Sequence, residues 1–334
     1  MSRIPQRADL VLSGGGVKGI ALAGAVAALT TADYVPQRIS GTSAGALVGA
    51  VLAAATQRGE LSAAALQELA MDIDYREFLD PGLVERVPVV GHAFGVLTGG
   101  GIYRGDALRQ WVAARLADYG VTTFGDLAID DDEVPPEQRY RLVVTVADVT
   151  LGQLVRLPWD YRRLYGLDPD EQSVADAVRA SAAIPFFYRP ASLESAAGRT
   201  SDLVDGGLLS NFPIDSLDRT DGAPPRWPTF GVTLLPELPA DNEQVVPALR
   251  PLHLLGGAAL LEQVVTTILV GRDQAYLNQP RVSARTIRID TSEVGVLDFD
   301  LSEDDKRLLY TQGWQAAERF LSTWDWPDYL TRFR

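Results

Sequence analysis

Ser43 stands in Gly41-Thr42-Ser43-Ala44-Gly45, a serine flanked by small residues in a G-x-S-x-G spacing. At a strand-to-helix junction this spacing turns the chain sharply enough to lift the serine out of the sheet, and glycine accommodates the tight backbone. A helix starting just after Ser43 would also aim its first amides at negative charge developing on a substrate. That combination suits nucleophilic attack on an acyl carbon. Small-residue turns also arise by chance in alanine- and glycine-rich chains, so the motif needs partners.

Two further segments supply candidates. Gly14-Gly15-Gly16-Val17-Lys18-Gly19 can turn several backbone N–H groups towards one point, which an oxyanion requires. Gly14, Gly16 and Gly19 also satisfy the dinucleotide spacing G-x-G-x-x-G. That reading expects an acid at the end of the second strand, where Ser40 and Gly41 stand instead; the nearest acid, Asp33, precedes the strand. Lys18 could add charge to the loop or be a surface lysine at a helix start. The third segment, Asp205-Gly206-Gly207 with Asn211 and Pro213 following, is either an ordinary Asp-Gly turn or a carboxylate at a strand end.

The elements that must position these residues follow an alternating βαβ pattern, which predicts a largely parallel sheet. Strands are expected at Asp9 to Ser13 and Arg38 to Gly41, each running into a glycine motif. Helices are expected over Val17 to Thr31, Ala44 to Thr56, Ser62 to Ile73 (Ser62 as N-cap) and Asp106 to Tyr119. Arg141 to Ala147 is the most strand-like run, with Gln153 to Leu157 a pairing candidate, and Ser173 to Ala183 a helix stopped by Pro185. Leu203 and Val204 lead into Asp205, and Phe230 to Leu235 and Arg285 to Asp290 are further strands around an apolar helix near Leu254 to Val270. Ser302 to Trp324 has helical spacing of Leu308, Leu309, Trp314, Ala317 and Leu321. The glycine-rich apolar segment from Pro81 to Gly105 is either an irregular connection or a flap beside the site.

Composition narrows the partners. Hydrophobic residues make up 46% and charged residues 22% of 334, ordinary values for a globular protein. A net charge of −14 argues against nucleic acid and against long-range attraction to an anionic membrane, leaving local apolar contact open. With no cysteine, thiolate nucleophiles, disulfides and Cys-based metal sites are excluded. Asp130 to Glu133 is an acidic run without EF-hand spacing, so no metal and no cofactor is expected. Met1 to Ala8 lacks a signal-peptide core, and Glu262 and Gln263 interrupt the apolar stretch Leu252 to Val270. A cytoplasmic protein with peripheral membrane contact is the expectation.

Taken together the motifs resemble the patatin-like phospholipase family, in a bacterial form. The glycine-rich loop with its basic residue (Gly14 to Gly19, with Lys18), the elbow (Gly41 to Gly45) and the D-G-G motif (Asp205 to Gly207) agree in order and spacing. Arg179-Ala180-Ser181-Ala182-Ala183-Ile184-Pro185 is similar to the helix-end signature upstream of the family's aspartate. The resemblance covers roughly Asp9 to Pro213. It implies a three-layer α/β/α fold with a mostly parallel central sheet, with a catalytic region at 7–230 and 231–334 completing the same domain. It further implies a lipid acyl hydrolase acting through a Ser43–Asp205 dyad, with Gly14, Gly15, Gly16 and Val17 as oxyanion hole. Gly41, Gly45, Lys18, Gly206 and Gly207 would support it, with a phospholipid or other fatty-acyl ester at a membrane or micelle surface as substrate.

A Ser-His-Asp triad is the competing mechanism, since Ser43, Asp205 and His253 follow α/β-hydrolase order. His253 sits in the apolar run Pro251-Leu252-His253-Leu254-Leu255, and the only other histidine, His92, lies in the candidate flap. An acyltransferase using the same serine and a silent lipid-binding module are the other readings.

Overall fold

Alternation along the strands decides which side chains go to which face of the sheet. In the computed structural model, which describes residues 5–80, 101–234 and 274–333, Leu10 and Leu12 pack into one core while Val11 between them packs into a second. The same holds for Leu142, Val144 and Val146 against Val143. Period-two alternation between two apolar faces marks a sheet covered on both sides.

Eight strands form this sheet among the described residues. They are β1 (Gln6–Leu12), β2 (Tyr34–Thr42), β3 (Leu142–Asp148), β4 (Gln153–Leu157), β5 (Ala191–Glu194), β6 (Thr200–Asp205), β7 (Thr229–Thr233) and β8 (Thr286–Arg288). Their order is β5-β6-β3-β2-β1-β7-β8, with β4 also on β3. Pairings among β3, β2, β1, β7 and β8 are parallel, whereas β4, β5 and β6 join antiparallel. The sheet is mostly parallel, as expected, and its parallel part carries the glycine-rich loop after β1 and the elbow after β2. The antiparallel flank follows from the short β3–β4 connection, too short for a crossover helix.

Helices α1 (Gly19–Thr31) and α2 (Ala44–Arg58) are buried almost all round, because alanine and glycine let them sit between the sheet and outer helices. Around them lie α3 (Ala63–Asp72), α4 (Asp106–Asp118) and α5 (Val174–Ser181). Ser62 and Ser173 cap α3 and α5 through their hydroxyls. After the short turns α6 (Gln274–Leu277) and α7 (Pro280–Ser283), α8 (Glu303–Leu321) lies across α1. There the Gly24 backbone abuts the Tyr310 carbonyl and Gly313 abuts that of Ala21, contacts with no room for a Cβ. A last helix, α9 (Trp326–Phe333), extends the single helix expected at the C-terminus. The second sheet face is covered by Phe212, Ile214 and Leu217, with Leu277 and Val282.

The candidate flap, apart from its last residues, and the expected apolar helix near residues 254–270 lie outside the described residues. The acidic run is tied down by arginines: Asp131 to Arg226, Asp132 to Arg139 and Glu133 to Arg219. Among the described residues no cluster of His, Cys, Asp or Glu is arranged to hold a metal, and no helix is long and apolar enough to cross a membrane.

Candidate active site

Strand register brings Ser43 and Asp205 together. Thr42, the last residue of β2, pairs with Thr145 of β3, and Asp205, the last residue of β6, pairs with the next residue, Val146. Strand β4 overlaps both β2 and β6 along β3, so it occupies one edge of β3 and the other two share the opposite edge. Running parallel and antiparallel to β3, β2 and β6 therefore meet end to end. Their next residues, Ser43 and Gly206, must turn out at the same place.

Ser43 does so with φ 53° and ψ −119°, an uncommon backbone for a residue with a side chain and one often found at functional turns. Its carbonyl accepts the Ala46 and Leu47 amides in the first turn of α2. The turn closes because Gly41 and Gly45 press backbone against backbone, with Gly45 also against the Leu12 carbonyl. At the other side Gly206 lies on the Thr145 carbonyl, where a Cβ would not fit.

The Ser43 side chain faces the Asp205 carboxyl and acts on it as a hydrogen-bonding group. Asp205 Oδ1 also accepts the Gly207 N–H at 2.8 Å, so the second glycine of the motif orients the carboxylate. Both residues are buried. Burial pushes the Asp205 pKa from 3.8 up to about 6, against the opposing pull of the Ser43 and Gly207 hydrogen bonds. A carboxylate in this state is a stronger base than a solvated one and is still largely ionised near neutral pH.

The glycine-rich loop adjoins the nucleophile: a Cβ on Gly14 would lie 3.1 Å from that of Ser43. Only part of the loop has free donors. The Gly14 N–H donates to the Asn211 carbonyl at 3.2 Å and the Val17 N–H to the Val296 carbonyl at 3.1 Å. Of the four amides expected to form the oxyanion hole, those of Gly14 and Val17 are thus already paired within the protein. The Gly15 and Gly16 amides have no acceptor among the described residues. Gly16 takes φ +59°, a turn glycine makes without strain, and the Val296 carbonyl packs where its Cβ would be. The Ser13 hydroxyl steadies the loop, donating to the Gly14 carbonyl and accepting the Leu234 N–H.

Lys18 is no surface residue but is buried, and burial lowers its pKa to about 8 against the attraction of Asp290. Asn211, Val296, Ser181 and Thr145 all serve the site without having been assigned roles from sequence. Ser181 lies in a segment the sequence does mark, whereas Val296 carries no local signal. Both histidines, His92 and His253, lie outside the described residues.

The patatin-like phospholipase model matches residues 10–218, enclosing all three motifs. The chain belongs to the patatin-like phospholipase family. This patatin-like chain is 34% identical over 319 residues to the protein YqhO of Bacillus subtilis (strain 168), covering 95% of this chain and 98% of that one. It is 31% identical over 306 residues to the NTE family protein Mb2594 of Mycobacterium bovis, covering 87% of this chain but only 43% of the mycobacterial protein. Among solved structures, VipD from Legionella pneumophila has the same fold at 20% identity, with a TM-score of 0.53 over 96% of this chain and 67% of that one.

Proposed function

We propose that this patatin-like protein hydrolyses carboxylic esters of fatty acids in lipids, of the phospholipase A or lysophospholipase type, through Ser43 and Asp205. The observation that carries the reading is that strand register brings Ser43 to a buried Asp205 carboxyl of raised pKa, on which the serine acts as a hydrogen-bonding group. In a Ser-His-Asp triad an imidazole separates the serine from the acid. Direct contact between the two favours a dyad.

In the proposed cycle Ser43 Oγ attacks the ester carbonyl carbon as its proton passes to Asp205. The carbonyl oxygen becomes an oxyanion, which the amides of Gly15 and Gly16, without an acceptor among the described residues, receive. Collapse expels the alcohol, which takes the proton back from Asp205, and leaves Ser43 acylated. Water then attacks the acyl-enzyme with Asp205 again accepting the proton, and the fatty acid departs as Ser43 Oγ is reprotonated. Lys18, close to the loop and half-way to neutrality near its lowered pKa, adds positive potential without needing to touch the substrate. The substrate is proposed to be met at a membrane or micelle surface, through local apolar contact rather than net charge.

Phosphatidylcholine vesicles and a panel of lysolipids and soluble esters, read by product mass, test this. The wild-type chain should release free fatty acid, and Ser43→Ala should lower the rate by roughly 10⁴-fold with folding intact. Undiminished release by the Ser43→Ala protein would refute the reading.

A further inference from the structure

Ser181, the last residue of α5, is fully buried and stands beneath the elbow. Its Oγ accepts the Ser43 N–H at 2.8 Å and donates to the Thr145 carbonyl at 2.7 Å. Those two backbone groups lie where the shared edge of β3 passes from β2 to β6, so the ordinary ladder has run out there. A buried amide and a buried carbonyl with no ladder partner must be satisfied by something, and one hydroxyl satisfies both. Two residues further on, the Ala183 carbonyl accepts the Asp205 N–H at 2.9 Å. One short stretch of chain thus grips the backbone of the nucleophile and of its proposed base.

We propose that Ser181 is a positioning residue for the Ser43–Asp205 pair, its hydroxyl holding the nucleophile's peptide in the positive-φ turn. The proposal rests on the hydrolase reading above. A serine at φ 53° stays there only while its surroundings over-determine it. Without an acceptor for the Ser43 N–H, rotation of the Thr42–Ser43 peptide would relieve the turn and swing Oγ away from Asp205. Ser181 has no exposed surface with which to meet substrate, so its effect belongs to the chemical step and not to binding.

The test uses the full-length chain with Ser181→Ala, Ser181→Cys and Ser181→Thr. Cysteine keeps about the serine volume but is a weak hydrogen-bonding group, while threonine keeps the hydroxyl. On p-nitrophenyl butyrate, Ala and Cys should lower kcat on the order of 10²-fold, the scale of a misplaced reacting atom. KM should stay within about twofold, because uniform binding is untouched. The rate at which a fluorophosphonate labels Ser43 should fall in parallel with kcat, and threonine should restore much of both. If the alanine protein does not fold, the cysteine protein carries the comparison. Folded Ala or Cys proteins with a lower Tm but wild-type kcat and labelling would overturn the proposal and leave Ser181 a purely structural residue. In that case turnover that still requires Ser43 leaves the hydrolase reading standing. A wild-type chain that neither turns over an ester nor labels at Ser43 overturns both.

Discussion

Asp205→Asn should make the protein more stable while disabling it, and the gain should depend on pH. Asparagine keeps the shape of the side chain: its oxygen can accept the Gly207 N–H and its amide can donate to Ser43 Oγ. What it removes is a buried ionisation. The Asp205 pKa is about 6 in the folded protein against an ordinary 3.8, so the folded state holds its proton more tightly than the unfolded chain. Stability from this group is therefore intact below about pH 4 and is lost as pH rises through about 6. At about 1.4 kcal/mol per pH unit, the gap between the two values comes to about 3 kcal/mol of destabilisation at pH 8. Other titrating groups are common to both proteins and cancel in the difference. Urea unfolding at pH 4, 5, 6, 7 and 8 reads the effect. The two proteins should nearly coincide at pH 4, and the variant should lead by up to about 3 kcal/mol at pH 8. A difference that does not change with pH, or a wild type that is the more stable at pH 8, would refute the placing of Asp205 as a buried base. The outcome would also show stability given up for activity.

Hydrolysis of a soluble ester should rise about tenfold per pH unit on the acid side and level off above about pH 6, as the Asp205 proton is lost; a flat profile from pH 4 to 8 would exclude Asp205 as base. Gly16→Ala should block labelling of Ser43 by a fluorophosphonate, since the added Cβ meets the Val296 carbonyl at a positive φ; labelling at the wild-type rate would remove Gly16 from the oxyanion site. Gly313→Ala should lower Tm by several degrees, with kcat per folded molecule little changed, because its Cβ wedges α8 off the Ala21 carbonyl of α1. An unchanged Tm would mean the two helices can part at no cost.

Much of the catalytic half was legible because its signals are local. The G-x-S-x-G spacing, the triple glycine and the alternating Leu10, Val11 and Leu12 each state their backbone within a few residues. The sequence could not say that β2 and β6 share one edge of β3, since that depends on strand register across residues 42, 145 and 205. It also could not show that the Gly14 and Val17 amides are spent on Asn211 and Val296, partners distant in the chain. Strand β5, four residues long with Ala191 and Glu194 at its ends, has too little apolar pattern to announce itself. The choice for Lys18 between a charge on the loop and a surface lysine stays open in the sequence, because burial of a charged side chain is set by what packs over it, not by its neighbours in sequence.

The central claim is a two-residue site in which Asp205 alone activates Ser43. Its most direct measurement is fluorophosphonate labelling mapped by peptide mass in the wild type, Asp205→Asn, His92→Ala and His253→Ala proteins. A single label is expected, at Ser43, formed at near wild-type rate in both histidine variants and slowed by at least about 10³-fold in Asp205→Asn. Loss of labelling in His253→Ala, or a label on another serine with Ser43 untouched, would contradict it.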